Sequence, residues 1–450
     1  MHSVVHNKKR SSLFKLLLIV CIILLLTWSL RLNLANTDET YSLELIKHSF
    51  WDVIQLDALD VHPPLYYLVL KLLFKVTFIS HCSPFIQIVA GRLFSVGCFF
   101  LTILILNSLI SSLLNRHTSP FVLVLTLLMP SVLWYSTNIR MYALAALFIS
   151  CELFFIYQFE TIGNYSFIIC ATIFAGAAAW THYFAAVSAG LLFMVFWFYA
   201  LFHSHCFKKV WAYTIAGIGL IVLFIPWLTI AYSQLKSVHG NYWIKNSLYD
   251  YIGTFYYVHL ADVVGLHVFS ILAVLFLIVL AFVLTRGIKL LNNSAFNLYF
   301  MAISGTMLGT IGLGFLISIL MRPIFVPRYV YPIFFPFICF SVPLITLYFQ
   351  QQPKFNGKVL IALAALGVLT NTVKGVHGLK EDITAVRTVN IDKSFKATVK
   401  CNRDTDAQTL FLAYCLPKHR ITTTQYKIRT RTVQSEKLFD ETFPNVVTHK

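Results

Sequence analysis

Long apolar runs separated by short polar segments fill the chain up to about residue 376. Each run predicts a helix that spans a membrane, because a crossing needs ~20 mostly apolar residues. The predicted spans are 13–30, 88–113, 120–136, 141–159, 165–181, 183–202, 210–230, 265–285, 297–320, 329–349 and 358–376. A further run, 64–79, is short and carries Lys71 and Lys75. We therefore predict that it lies in the membrane interface or forms a re-entrant segment that does not cross. The pattern therefore predicts an all-α polytopic membrane protein with about eleven crossings.

Basic residues between these runs orient the predicted helices, since Lys and Arg are retained on the cytoplasmic side. If 64–79 does not cross, every interval between neighbouring basic clusters holds an even number of spans, and all the clusters lie inside. The N-terminus is then cytoplasmic, and the run 13–30 is an uncleaved first helix because no small-residue cleavage site follows it. The clusters are 8–10, 116–117, 203–209, 286–289 and 354–358.

A change of composition after residue 376 marks a second unit. Residues 1–376 form the predicted transmembrane domain, and residues 377–450 form a small soluble appendage on the extracytoplasmic side. Two apolar runs in the appendage, 409–416 and 420–426, resemble strands.

The overall composition supports this class of protein. The chain is 58% hydrophobic and only 12% charged, whereas soluble domains average about 25% charged residues. The net charge of +17 comes mostly from short loops and the tail. Basic residues placed there meet anionic lipid headgroups, so the charge does not indicate nucleic acid as a partner. Membrane lipids are the expected partner.

Carboxylates concentrate in the loop 31–62, after the first predicted helix. Of 18 acidic residues, eight lie in the tail and six fall between positions 38 and 60. Asn36 and Glu39 have the spacing of a helix capping box. Asp38 and Glu39 then occupy a first helical turn, where acids stabilise the helix dipole by ~0.3–1 kcal/mol. The functional alternative makes Asp38 a general base and gives Glu39 a share in the chemistry or in orienting a metal.

The motif that follows, DVHPPL, holds Asp60 and His62 before a rigid pair of prolines, which suits the start of another helix. Tyr66 and Tyr67 fit an interfacial aromatic belt. In the predicted topology, polar residues from several helix ends converge on the outer side, and such residues usually mark a substrate path. They are Asp38, Glu39, Asp60, His62, Arg92, Arg140, Tyr142, His182, Arg322 and Arg328.

The order of these motifs resembles the GT-C superfamily of glycosyltransferases, which includes the protein O-mannosyltransferases and the bacterial aminoarabinose transferases. DVHPPL follows an Asp-Glu pair by some twenty residues, and Gly91-Arg92, Arg140-Met-Tyr142, Thr181-His182-Tyr183 and Pro327-Arg328-Tyr329 come next in sequence. The resemblance implies a plasma-membrane enzyme that transfers a sugar from a polyprenyl-phosphate donor on the outer face. It implies that Asp38 is the catalytic base, that Asp60 and His62 shape the site, and that the arginines hold the phosphate.

Two features depart from these relatives. The later outer loop, 233–265, is too short for the folded domain of the mannosyltransferases, and His62 stands where the lipid A-modifying branch has lysine. The acceptor therefore stays open between a glycan, a lipid and a protein. A divalent metal ion also stays open as a cofactor, with no metal ligand assigned. The alternative function is a flippase or transporter of lipid-linked sugars, which is expected to have repeated halves that this sequence lacks.

Overall fold

The computed structural model describes residues 35–115, 135–237, 266–321 and 324–351, and in the tail residues 396–399, 405–418, 420–423 and 433–448. In the part described before residue 352, the regular structure is helical, and the tail adds short strands. The predicted spans 13–30 and 358–376, and nearly all of 120–136, lie outside the described residues.

Helices follow one another with short connections. They are α1 (Thr37–Leu45), α2 (Phe50–Leu59), α3 (Leu65–Val76), α4 (Pro84–Leu114), α5 (Tyr142–Ile162), α6 (Tyr165–Thr181), α7 (Tyr183–Phe202), α8 (Phe207–Ser237), α9 (Leu266–Leu291), α10 (Ser294–Leu320) and α11 (Tyr331–Gln350). Two 3-10 turns, Ile79–His81 and Pro327–Val330, precede α4 and α11.

Six helices in the described part are long and apolar enough to cross a membrane, namely α4, α5, α7, α8, α10 and α11. The chain is therefore a multi-pass membrane protein, as the apolar runs predict. The shorter α6 has 17 residues and is apolar as well. By contrast α3 has 12 residues, or about 18 Å of helix, against a hydrocarbon core of ~30 Å. This length agrees with the prediction that the run 64–79 does not cross.

The spans pack into one helical body. Helix α5 contacts α4, α6 and α11, and α7 contacts α6, α8 and α10. Helices α9 and α11 approach closely at Gly287, where an added Cβ would lie 2.6 Å from the carbonyl oxygen of Leu344. The polar ends of these helices meet near α1–α3, and that junction contains the candidate site.

The tail contains β1 (Lys396–Val399), α12 (Thr405–Cys415), β2 (Arg420–Thr423), α13 (Val433–Thr442) and β3 (Val446–Thr448). The strands form a parallel sheet in the order β1-β2-β3, with Ile421 opposite Val446. The prediction of a strand over 409–416 is wrong, because this run belongs to α12. Helix α12 packs against α1, so the tail and the acidic loop lie on the same side of the helical body.

Candidate active site

Helix α1 begins with the capping box that the sequence indicates. The Glu39 amide donates to Asn36 Oδ1 at 2.9 Å, and the Asn36 amide donates to Glu39 Oε2 at 3.2 Å. Asn36 also donates through Nδ2 to Asn138 Oδ1 at 3.0 Å, which ties the start of α1 to the segment before α5. Asp38 takes no part in the capping box, so its side chain is free to serve another purpose.

The Asp38 carboxylate lies between two guanidinium groups. Its Oδ1 is 3.8 Å from Arg140 Nη2, and its Oδ2 is 3.9 Å from Arg328 Nη1. Burial alone would raise the pKa of Asp38, but the two guanidinium groups outweigh it and bring the pKa below the ordinary 3.8. The side chain is 40% exposed. The site therefore presents an ionised, reachable carboxylate flanked by two cations.

Arg140 reaches this position from a tight bend that precedes α5. The Arg140 amide donates to the carbonyl of Asn138 at 2.8 Å, and that same carbonyl accepts a hydrogen bond of 2.6 Å from Ser95 Oγ on α4. The Arg140 side chain is 6% exposed, and its Nη1 donates to the Tyr67 hydroxyl at 2.8 Å. Its Nε is buried without a hydrogen-bond partner among the described residues. The guanidinium is thus held firmly and is only partly satisfied.

Two histidines and two tyrosines form the wall beside these arginines. The rings of His62 and His182 stack with centroids 5.6 Å apart, and the Tyr329 and Tyr142 rings lie 4.9 and 5.8 Å from His182. Burial together with the nearby Arg140 and Arg328 lowers the pKa of His182 to about 3 and that of His62 well below 6.5. At neutral pH both rings are therefore uncharged.

The hydrogen bond that His182 accepts assigns its tautomer. His182 is the N-cap of α7, and its Nδ1 accepts from the Phe184 amide at 3.2 Å. A neutral imidazole carries one proton, so the proton of His182 is on Nε2. This wall consequently offers a neutral N–H donor in addition to the guanidinium groups.

Glu39 and Arg92 form a second ion pair that faces away from solvent. Arg92 Nε and Nη2 donate to the two carboxylate oxygens at 2.9 and 2.7 Å, and both side chains are at most 1% exposed. The Ile139 amide adds a donor to Glu39 at 3.2 Å. Gly91 makes room for this contact, because an added Cβ would lie 2.9 Å from Ile139 Cδ1. The structure thus separates these two residues from the exposed Asp38 carboxylate.

Asp60 and Asp57 lie one helical turn apart at the end of α2. Burial raises the pKa of Asp60, although Arg140 opposes this effect. Burial and the charge of Asp60 raise the pKa of Asp57 well above 3.8. Both Asp57 carboxyl oxygens are buried without a hydrogen-bond partner among the described residues. We did not identify Asp57 from the sequence, although its spacing of three from Asp60 places it on the same helix face.

A hydrogen-bond chain from α8 supports this turn. Gln234, which is 2% exposed, donates to the Asp57 carbonyl at 2.9 Å and accepts from the Tyr183 hydroxyl. The Trp227 indole N–H donates to the same hydroxyl at 2.9 Å. We did not identify Gln234 or Trp227 from the sequence. The assignment of Tyr66 and Tyr67 to an interfacial belt is wrong, because both side chains are fully buried.

The predicted site residues therefore divide into groups. The structure brings Asp38, Arg140 and Arg328 together, with His62, Tyr142 and His182 beside them, whereas Glu39 and Arg92 pair separately. Arg322 lies outside the described residues. Among the residues that the structure does describe, no group of three or more His, Cys, Asp or Glu side chains is arranged to hold a metal ion.

Comparisons with known proteins point to one fold. No family model matches the chain, and no curated protein matches it by sequence. Crystal structures of ArnT from Cupriavidus metallidurans do match, in the apo state and bound to undecaprenyl phosphate. Both are 12% identical, with TM-scores of 0.53 and 0.54; the alignments cover 95% and 97% of this chain and 89% and 90% of ArnT. At this identity the likeness shows the fold alone, and it is the GT-C-like fold that the motif order predicts.

Proposed function

We propose that this protein transfers a sugar from a polyprenyl-phosphate donor to an acceptor hydroxyl at the outer membrane face. The observation that carries the proposal is the Asp38 carboxylate, 40% exposed and within 4 Å of two guanidinium groups, at 3.8 and 3.9 Å. A base next to fixed cations is what this transfer needs. The GT-C-like fold, and the undecaprenyl phosphate bound by ArnT of similar fold, support a lipid-linked donor.

In the proposed reaction Asp38 takes the proton from the acceptor hydroxyl as its oxygen bonds to the sugar C1 carbon. The bond between C1 and the phosphate oxygen breaks, and polyprenyl phosphate leaves with the electron pair. Arg140 and Arg328 hold the phosphate, because guanidinium groups stay charged and bind phosphate oxygens in a fork. Arg140 Nε and the buried Tyr142 hydroxyl have no hydrogen-bond partner among the described residues, and they supply further donors to phosphate oxygens.

The histidines complete the phosphate side of the site without adding charge. His182 presents its Nε2 proton as a neutral donor, since Nδ1 accepts from the backbone. His62 stacks on His182 and fixes the direction of that ring. Among the described residues, the cations beside Asp38 that can stabilise the leaving phosphate are Arg140 and Arg328. A neutral His62 stands where the lipid A-modifying branch has a lysine.

Glu39 and Arg92 have a structural role in this proposal, in place of the catalytic and substrate-binding roles expected from the sequence. The Arg92 guanidinium donates two hydrogen bonds to the buried Glu39 carboxylate, and a fully paired carboxylate is a poor proton acceptor. Asp60 stays a shaping residue beside Arg140. We further propose eleven crossings, a cytoplasmic N-terminus and an extracytoplasmic tail, because this topology puts Asp38 on the outer side.

The direct test uses Asp38→Asn in the purified protein. With a panel of undecaprenyl-phosphate-linked sugars and an envelope extract as acceptor, the wild type should release undecaprenyl phosphate. We expect Asp38→Asn to lose at least about 100-fold of this rate, in the range of general base catalysis. The matched control is Asp52→Asn, which removes an exposed carboxylate from the same loop. Release at the wild-type rate by Asp38→Asn would exclude the assigned base. Lipid flipping without sugar release would favour a transporter.

A further inference from the structure

Neighbouring carboxylates on α1 bind their arginines in different ways. Glu39 accepts two hydrogen bonds from Arg92, at 2.9 and 2.7 Å. Asp38 stands 3.8 and 3.9 Å from its two arginine nitrogens, beyond the ~2.7–2.9 Å of a charge-assisted hydrogen bond. At these distances Asp38 balances the charge of both guanidinium groups without a close hydrogen bond to Arg140 Nη2 or Arg328 Nη1.

The donors of Arg140 show the same incomplete match. Nη1 is bonded to the Tyr67 hydroxyl, Nη2 has only the distant Asp38 oxygen, and Nε has no partner among the described residues. Arg140 is 5% exposed, and a buried guanidinium with donors left over costs stability unless a second anion completes its bonds. A phosphate has several acceptor oxygens and matches these donors better than the single carboxylate does.

We propose that Asp38 is a placeholder for the donor phosphate: its carboxylate and the phosphate compete for Arg140 and Arg328, so Asp38 weakens phosphate binding although transfer requires it. This inference rests on the proposed function in taking the phosphate of a polyprenyl lipid as the ligand, a diester in the sugar donor and a monoester in the polyprenyl phosphate product that the test uses. It adds that binding and catalysis place opposite demands on one carboxylate.

The exchange has a mechanistic consequence. When phosphate takes up the guanidinium donors, it neutralises the charges that keep Asp38 a weak base. Asp38 then accepts a proton more readily, and it does so only when a donor is present. After transfer, Asp38, which is 40% exposed, gives its proton to solvent. The carboxylate then returns to the arginines and helps the polyprenyl phosphate product to leave.

The test measures binding of undecaprenyl phosphate to the full chain in detergent at pH 7. We expect Asp38→Asn to bind about tenfold more tightly, because one like charge a few ångströms from the phosphate is removed. Asp52→Asn, which removes an equal charge from an exposed position in the same loop, should change the affinity less than twofold. Undecaprenol should show no gain, and inorganic phosphate should show the same gain if the headgroup alone is responsible.

Arg328→Gln separates the two levels of the proposal, and its side chain is 26% exposed, so the substitution is tolerable for folding. Weaker binding by this variant places the phosphate at the arginines. If Arg328→Gln weakens binding but Asp38→Asn binds equally or less tightly, the competition is wrong and the site assignment survives. If neither variant changes binding, the phosphate binds elsewhere and the proposed function is wrong as well. A melting curve of each variant shows that it is folded.

Discussion

At the scale of single residues, the adjacent acids Asp38 and Glu39 lie in one helix turn but contact different arginines. Consecutive residues on a helix point about 100° apart, so Glu39 faces α4 while Asp38 faces the open side. The sequence predicts the capping box and marks both acids as candidates. It does not reveal which acid pairs with Arg92, because the partners are 53 positions apart and only the packing of α1 on α4 brings them together.

The buried His182 makes the stability of the protein depend on pH. Its pKa falls from 6.5 in the unfolded chain to about 3 in the folded protein, so the unfolded state binds more protons between these values. Stability is therefore full above pH 6.5 and is lost as the pH falls toward 3. At pH 5 the protonation of this single group in the unfolded state lowers the free energy of unfolding by about 2 kcal/mol.

We expect His182→Asn to reduce this loss, since Asn can still accept the Phe184 amide as an N-cap but does not titrate. The measurement compares the melting temperature at pH 7.5 and pH 5 in both proteins. The drop should be smaller in the variant, and His203→Asn, an exposed position, serves as control. An equal drop in both proteins would mean that His182 is not the titrating group.

At the scale of elements, α1 is held from several sides by groups that lie far apart in the sequence. Arg92 fixes its first turn, and Lys71 of α3 donates to the carbonyls of Ile46 and His48 just after its end. The helix itself is only nine residues long and would be marginal alone. The position of Asp38 therefore depends on these attachments.

Breaking the Glu39–Arg92 pair should destabilise the protein strongly. We expect Glu39→Gln to lower the free energy of unfolding by ~3–5 kcal/mol, because it leaves a buried guanidinium without its counter-charge. The double variant Glu39→Gln/Arg92→Met should recover part of this loss. Urea or thermal unfolding of the four proteins in the cycle measures the coupling. The exposed pair Lys437–Glu441, at 62% and 48% exposure, gives the comparison, with at most ~1 kcal/mol expected. Equal losses at the two pairs would contradict a structural role for Glu39.

The mistaken strand at 409–416 has a physical explanation at this scale too. A short continuous apolar run fits a buried strand or a buried helix equally well. In α12 the spacing of Leu410, Ala413 and Tyr414 puts three buried side chains on one helix face. The choice depends on the surface of α1 that this face covers, which the run itself does not encode.

At the scale of the whole molecule, hydropathy and charge predict the long helices of the described part, with ends that differ from the observed ones by up to seven residues. They also predict that polar helix ends meet on one side, and the structure brings Asp38, Arg140 and Arg328 together there. They do not predict the docking of the tail. Tyr41, on the helix of Asp38, packs against the tail cluster of Leu410, Leu412, Ala413 and Phe443.

The tail should therefore control the order of α1. Tyr414 is 1% exposed. Its carbonyl accepts a hydrogen bond of 3.3 Å from Lys47 Nζ, and the same nitrogen lies 4.0 Å from the centroid of the Tyr414 ring. We expect Tyr414→Ala to lower the free energy of unfolding by ~3–5 kcal/mol and to speed hydrogen exchange in residues 37–48. Lys437→Ala, exposed on α13, is the control. If exchange in 37–48 is unchanged, the tail folds independently of the site.

The orphaned carboxyl of Asp57 also bears on how such a chain evolves. A buried carboxyl with no hydrogen-bond partner among the described residues makes folding harder, and an amide or aliphatic side chain at this position would reduce that cost. Substitutions there should therefore be easy to find wherever selection acts on robustness alone. If related chains nevertheless retain an acid at position 57, selection for something other than stability must keep it there. An alignment of those chains would then show an acid at this position, next to the Asp-Val-His-Pro-Pro segment.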